Sequence, residues 1–404
     1  MTHEALLQQA RDLQPYLQEV RRDLHRHPET GFDLNYTLPR VRQELEQMGL
    51  APQPCGKAGL VVCLGGKKEG KTILLRADMD ALPLQEEAEI AFASENPGFM
   101  HGCGHDMHTA MLLGAARLLK AHEEELQGTV KLMFQPAEEI FQGAQDMISA
   151  GVLENPHVDA ALMIHVTAGI PVPAGMLLIP EGGISMASCE QYHIHVQGKG
   201  GHGSMPHVAI DPLTAAAHIH LALQEISSRE LDPNQYGVFT TCRFQAGQTS
   251  NVIPDSADMW GTIRTADPSG AIGEQIRKRM EEIVKGVALA LRCTAEVEFY
   301  DHCPCMVIDG GLADSVAAFM TELVAQKAQR MRIQGGGSED FAFVSHHVPT
   351  ASMFLTAGNS AEGYEFAQHH PKVKFDDSVL WQGSAAYCWA ALRYLQEAAG
   401  REQP

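Results

Sequence analysis

Basic residues are scarce in this sequence. Its 404 residues hold 30 lysines and arginines against 50 aspartates and glutamates, a formal charge of −20. Binding a nucleic-acid backbone or an anionic membrane surface needs clustered Lys and Arg, so neither partner is expected. Long hydrophobic runs are missing as well. No stretch approaches the roughly 18 apolar residues of a membrane span. The opening segment MTHEALLQQARDLQPYLQEV is amphipathic and charged, without the apolar core and small-residue cleavage site of a secretory signal. No internal repeat or low-complexity tract stands out. The nine cysteines are odd in number and scattered, which does not suit a disulfide framework. A reducing cytoplasm is the expected setting, and the close neighbours Cys303 and Cys305 read as ordinary thiols.

What is present is an ordinary globular composition, 45% hydrophobic and 20% charged. The length implies about two domains. Helical periodicity runs over Glu4–His25 and Asn35–Met48, with proline after His27 and glycine after Met48 as stops. His25 and His27 read as helix-end capping or surface groups. Apolar strands are expected at Leu60–Leu64, Thr72–Ala77, Gly128–Phe134 and Val158–Val166, with a helix at Thr109–His122. Such alternation predicts a largely parallel α/β sheet. The pattern then changes. Ser188–Val196 alternates like an exposed edge strand, followed by helices at Asp211–Arg229 and Gly270–Leu291 and strands at Tyr236–Gln245, Ala257–Thr265 and Thr294–Phe299. These make a small inserted α+β domain. The expected division is 1–187 and 298–404 for a larger catalytic domain, whose mostly parallel sheet is flanked by helices, and 188–297 for the insert. The last segment should carry a helix at Ala313–Arg330, a glycine-rich turn at Ile333–Asp340 leading into Phe341–Ser345, a strand at Val348–Leu355 and a closing helix at Asp376–Ala398.

The chemistry concentrates in Met100–His108, MHGCGHDMH. Cys103 and His105 are one residue apart, between glycines that permit a tight approach to an ion. Thiolate and imidazole suit zinc-like divalent metals. Other candidates stand at strand ends. Asp78 and Asp80 share a face if their strand continues, and Asp80 reads as a group that orients a metal ligand. Glu138 and Glu139 are adjacent carboxylates that repel unless a cation is near; one can bind metal and the other move a proton. His165 and His369 complete the set. Together with Asp80, Cys103 and His105 they supply enough donors for two closely spaced divalent ions.

These residues lie within a series of motifs: LHRHPE, LLRADMDALP, MHGCGHDMHTAMLLGAA, FQPAEE, IHV, GKGGHGSMPH, NVIPD, GTIRT, GSEDF and HHP. In that order they resemble the metal-dependent aminoacylase/carboxypeptidase superfamily over nearly the whole chain. The nearest branch holds hippurate hydrolases, N-acyl-L-amino-acid amidohydrolases and plant indole-acetyl-amino-acid hydrolases. The resemblance implies a binuclear centre on Cys103, His105, Glu139, His165 and His369, with Glu138 catalytic. It implies that His202 reaches from the inserted domain of one subunit toward the partner's active site, and it makes His202, Asn251 and Arg264 candidates for holding substrate. His369 rather than His370 is preferred from the spacing to Pro371. The inserted domain is expected to act as lid and to form a homodimer.

The implied activity is hydrolysis of N-acyl amino acids, acetyl or benzoyl, to a carboxylic acid and a free amino acid. Glu138 would take the proton of the attacking water and later protonate the leaving amine. The thiolate favours zinc, nickel or cobalt over magnesium, and manganese also fits the oxygen and nitrogen donors. Rival readings are a dipeptidase or carboxypeptidase with the same chemistry, an N-acetyl-diaminopimelate deacetylase, and a non-catalytic binding protein on a degenerate scaffold. The last would have lost donor residues, and none is lost.

Overall fold

The computed structural model describes residues 1–332 and 337–401. In chain order the strands of its two main sheets are β1 (Gln53–Cys55), β2 (Gly59–Gly65), β3 (Thr72–Asp78), β4 (Thr129–Gln135), β5 (Ala160–Thr167), β6 (Leu177–Pro180), β7 (Cys189–Gln197), β8 (Gly237–Ala246), β9 (Ser256–Thr265), β10 (Thr294–Cys303), β11 (Ala328–Met331) and β12 (Thr350–Thr356). The helices are α1 (His3–Asp12), α2 (Gln14–Arg26), α3 (Thr37–Gln47), α4 (His105–Ala121), α5 (Gly143–Ser149), α6 (Pro212–Glu225), α7 (Ala271–Ala290), α8 (Gly310–Val324), α9 (Ala342–Ser345) and α10 (Leu380–Arg401). Among the described residues no helix is long and apolar enough to cross a membrane.

The chain forms two compact units. The first comprises Met1–Ser185 with residues 307–332 and 343–401. Its eight-stranded sheet runs β1, β2, β4, β3, β5, β12, β6, β11. The four central strands β4, β3, β5 and β12 are mutually parallel, while β1, β2 and β6 join their inner neighbours antiparallel. A continuous apolar run suits such a strand, buried on both faces; every residue of β3 is buried. α4 and α10 pack on β3 and β5, α3 on β2, α5 on β4 and α8 on β12. α4 is buried at every residue from His105 to Ala116, as a helix with apolar residues all round its axis must be. Gly114 lets α10 approach: a Cβ there would lie 2.3 Å from Ser384 Oγ.

Two expectations in this unit need correction. The amino-terminal helix is broken at Leu13, because Pro15 can occupy only the first turn of a new helix. The helix expected over Ala313–Arg330 ends at Val324; Asp309 caps its start, and residues 328–331 form β11, paired parallel with β6. A sequence of good helix formers is overridden there by the open sheet edge beside it.

The second unit comprises Met186–Met306 with residues 337–342. Its antiparallel sheet runs β8, β9, β7, β10. α6 begins with Pro212 after Asp211, whose side chain accepts the Leu213 and Thr214 N–H groups. Together with α7 it buries one sheet face through Tyr192, Ile194, Val196, Met259 and Ile263. β7 is therefore an interior strand and not an edge. Its alternation records one face covered by helices and one left open. The boundary expected at 297 falls inside β10, which continues to Cys303. The first part of the glycine-rich turn, residues 333–336, lies outside the described residues. No disulfide joins the nine cysteines.

Candidate active site and metal centre

The site of the first unit is built where β3 and β5 part. Their ladder ends at the pair Arg76 and Met163. Beyond it, the Tyr387 hydroxyl donates to Arg76 O at 2.5 Å and accepts from Ile164 N at 2.7 Å. His108 bridges the next gap, with Nδ1 at 2.6 Å from Asp78 Oδ1 and Nε2 accepting from Val166 N at 2.8 Å. The parted carboxyl ends of parallel strands are where open α/β sheets hold ligands. Gly104, with φ +87°, turns the chain from Cys103 into α4, and a Cβ there would strike Val166 Cγ2 at 2.4 Å.

The carboxylates divide by what already satisfies them. Asp78 Oδ2 pairs with Arg76 Nη1 at 2.7 Å while its Oδ1 holds His108. Burial opposes its charge, but Arg76, His105 and His108 outweigh it and hold the carboxyl well below its ordinary range. Asp80 accepts the backbone N–H of Glu138 at 3.0 Å and of Glu139 at 3.2 Å, so it fixes the turn after β4. Both aspartates are thus committed to supporting neighbours. Cys103, His105, Glu138, Glu139, His165 and His369 are the candidate ligands grouped at these strand ends.

The histidines are oriented for a cation. His105 Nδ1 donates to Asp80 O at 2.8 Å and His165 Nδ1 to Val166 O at 2.6 Å, which leaves each Nε2 as an acceptor. His105 Nε2 is buried without a hydrogen-bond partner. It lies 3.9 Å from Glu138 Oε2 and 3.8 Å from Glu139 Oε1, too far for hydrogen bonds. The Glu139 separation suits two ligands sharing one ion, since zinc bonds of about 2.0–2.3 Å put ligand atoms roughly 3.3–3.8 Å apart. Cys103 Sγ lies 3.5 Å from His165 Nε2, and His369 Nε2 lies 3.6 Å from Glu139 Oε1. The donors fall into overlapping trios, Cys103 with His105 and His165, and Cys103 with Glu139 and His369. The shared thiol suits a pair of adjacent ions. Burial and the Glu139 carboxylate push its proton affinity well up, so a thiolate there requires a cation. The residues present fit divalent metal.

His369 has φ +66°, and its N–H donates to Gly102 O at 2.9 Å, tying its loop to the Cys103 turn. His370 instead stacks on Phe366 and accepts the Lys372 N–H. In the second unit, His202 and Asn251 lie side by side: Val252 pairs with His202, and Gly203 N donates to Asn251 O at 2.8 Å. Arg264 lies on β9, in a different sheet, with Nη1 donating to Cys189 Sγ at 2.8 Å and to Ile263 O at 3.3 Å.

His25 is not a surface cap. It is buried, bonded to Asp106 Oδ2 at 2.8 Å and Glu86 Oε1 at 3.2 Å, while Arg21 holds Asp106 at 2.7 Å. A helix-end position suggested exposure; the cause of burial is Asp106 on α4, far away in sequence. Tyr387 also escaped sequence reading, and Asp106 and His108, though inside the Met100–His108 stretch, were given no role there. Of these only His108 left a signal, three residues after His105 and so on the same helix face.

An α/β sheet whose carboxyl ends gather thiol, imidazole and carboxylate donors defines a metallohydrolase class. The chain belongs to the peptidase family M20/M25/M40, whose model matches residues 74–393. It is 36% identical to an N-acetylcysteine deacetylase of Bacillus subtilis, over 93% of this chain and 96% of that protein. It is 38% identical to an IAA-amino acid hydrolase of Arabidopsis thaliana, over 94% of this chain and 85% of that one. A crystal structure of a Bacillus subtilis protein, described as a dinuclear metal binding peptidase of the same family, matches with TM-score 0.78 at 32% identity, covering 95% of this chain and 99% of that one.

Proposed function

We propose that the chain is a metal-dependent amidohydrolase that splits N-acyl amino acids into a carboxylic acid and a free amino acid. The observation that carries this reading is the buried, unbonded His105 Nε2 facing Glu138 and Glu139, with Cys103, His165 and His369 alongside. One relative is named for deacetylating N-acetylcysteine and another for hydrolysing IAA-amino acids. A relative described as a dinuclear metal binding peptidase supports two ions. Cys103, His105, Glu139, His165 and His369 would hold them, zinc first by ligand softness, with manganese, cobalt or nickel as substitutes.

Bound divalent ions polarise an amide carbonyl and ease proton loss from water. The chain's own residues do the rest. Glu138 takes a proton from the attacking water as the new C–O bond forms. It returns that proton to the amine nitrogen as the C–N bond breaks. Asp80 holds Glu138 in place through its backbone. His202 Nδ1 accepts from Ser204 N at 3.1 Å, so the ring proton sits on Nε2 and can be donated to the carbonyl oxygen as charge develops. Asn251 and Arg264 bind the substrate carboxylate. The second unit, taken as residues 188–297 in its main part, serves as lid and dimerisation domain, and the enzyme works in the cytoplasm.

The test is amine release from acetyl- and benzoyl-amino acids, with dipeptides as controls, across several metals. Acyl amino acids should be cleaved with the higher kcat/KM. Preference for dipeptides would favour the second reading, a dipeptidase or carboxypeptidase, which the peptidase description of the solved relative supports.

A further inference from the structure

We infer that the open sheet face of the second unit carries a separate transition-metal site formed by His193, His195 and Asp258. It uses none of the residues of the catalytic centre. His193 and His195 are two apart on β7 and so point to the same face. Asp258 stands opposite His195 on β9. His193 Nε2 lies 2.9 Å and His195 Nδ1 2.8 Å from the same oxygen, Asp258 Oδ1. All three candidate ligand atoms lie within 4.8 Å of one another. Histidines on a solvated sheet face need not converge; these two are aimed at one point.

The convergence matches the demand of a small ion. Bonds of about 2.0–2.2 Å set tetrahedral nitrogen and oxygen ligands roughly 3.3–3.5 Å apart. Lengthening the two nitrogen–oxygen separations by about half an ångström from their hydrogen-bonded values brings them into that range. The orientation of His193 is already fixed. Its ring stacks on Trp260 with centroids 4.7 Å apart and planes 4° from parallel, and the Arg243 guanidinium sits 4.2 Å from the same indole. Glu296 and Glu298 on β10 stand opposite His195 and His193, so a fourth ligand can come from a carboxylate or from water. Asp258 also lines a cleft of about 610 Å³ with Gln245 and Ser256, which gives an ion access. Two imidazoles with a carboxylate select zinc, copper or nickel, not magnesium or calcium.

The experiment uses the full chain with its catalytic ions loaded, dialysed against buffered zinc. Wild type should retain one more zinc per chain than the double variant His193→Gln/His195→Gln, its fold checked by circular dichroism. Asp258→Asn, which preserves size and one acceptor, should weaken this extra site by at least about 10-fold while leaving the remaining zinc in place. Copper(II) should quench Trp260 emission in wild type, and that component should vanish in both Trp260→Phe and the double variant. Equal zinc content in wild type and Asp258→Asn, or a copper quench that survives Trp260→Phe undiminished, would overturn the assignment. Either result would leave the amidohydrolase reading untouched, because acyl-amino-acid cleavage is scored separately.

Discussion

At the scale of single residues, the active site is a separation of duties among like groups. Four carboxylates crowd the ends of β3 and β4, yet Asp78 and Asp80 are fully engaged by Arg76, His108 and backbone N–H groups. The proposed chemistry falls to Glu138 and Glu139. Glu138→Gln keeps the backbone bond to Asp80 and the side-chain volume but cannot move a proton. Turnover should fall by about 10²–10⁴-fold or more with metal content unchanged; near-normal kcat would remove Glu138 from its role. His101 offers a pH prediction. Burial pushes its pKa down to about 3, against about 6.5 in the unfolded chain. Above pH 6.5 both states are neutral and no stability is lost. As pH falls from 6.5 toward 3 only the unfolded chain takes the proton, so stability declines. Both ring nitrogens are buried without hydrogen-bond partners, so His101→Phe should fold. Its unfolding free energy should vary less steeply below pH 6.5, by up to about 1.4 kcal/mol per pH unit. Urea melts of chelator-treated protein between pH 6.5 and 4 would reveal an unchanged slope if the idea fails. The candidate donors stand out in the sequence because thiol, imidazole and paired glutamates are chemically uncommon neighbours. His25 and Tyr387 do not, because an ordinary helical residue reveals its partner only when another segment is laid against it.

At the scale of elements, the site depends on strand ends being tied to one another across the chain. Asp80 follows β3 and grips the turn after β4; His369 arrives from beyond β12 and bonds to Gly102. Asp80→Ala would remove the acceptor of the buried Glu138 N–H and the half-buried Glu139 N–H, at a cost of about 1–3 kcal/mol for the buried one, and release the glutamate turn. Metal affinity should drop about 10–100-fold, as it does when a ligand's support is removed, measured by competition with a chromophoric chelator. Unaltered affinity would show that Glu139 is positioned by something else. Strand–helix alternation was legible here because β3, β4 and β5 are largely apolar, broken only by buried polar residues such as Arg76 and Lys131, and strands buried on both faces favour such runs. The residues of β11 were misread as helix, since Gln329 and Arg330 carry no strand pattern of their own. Their strand exists because β6 presents an unpaired edge, which is a tertiary fact.

At the scale of the whole molecule, assembly is the question the second unit raises. The change in pattern near residue 187 was readable because alternation replaces continuous apolar strands, whereas its far limit was hidden by β10, whose alternation runs smoothly past 297. On this unit Leu213 and Leu221 of α6 lie on one broad helix face, about 80° apart, since eight residues make about 2.2 turns. Leu221 is 67% exposed, and Val238 and Phe244 are exposed along β8, an outer strand of its sheet. A helix face and sheet edge that are both apolar suit a two-fold interface, where the same patch meets its own copy. If the proposed dimer forms through this patch, Leu221→Asp should shift sedimentation from dimer to monomer without lowering the unfolding midpoint of the monomer, because an exposed leucine contributes little within one chain. If His202 serves the partner's site, kcat should fall in step with the dimer fraction and recover as protein concentration rises. A variant that sediments like wild type would move the interface elsewhere. A monomer with full activity would detach His202 from catalysis across subunits.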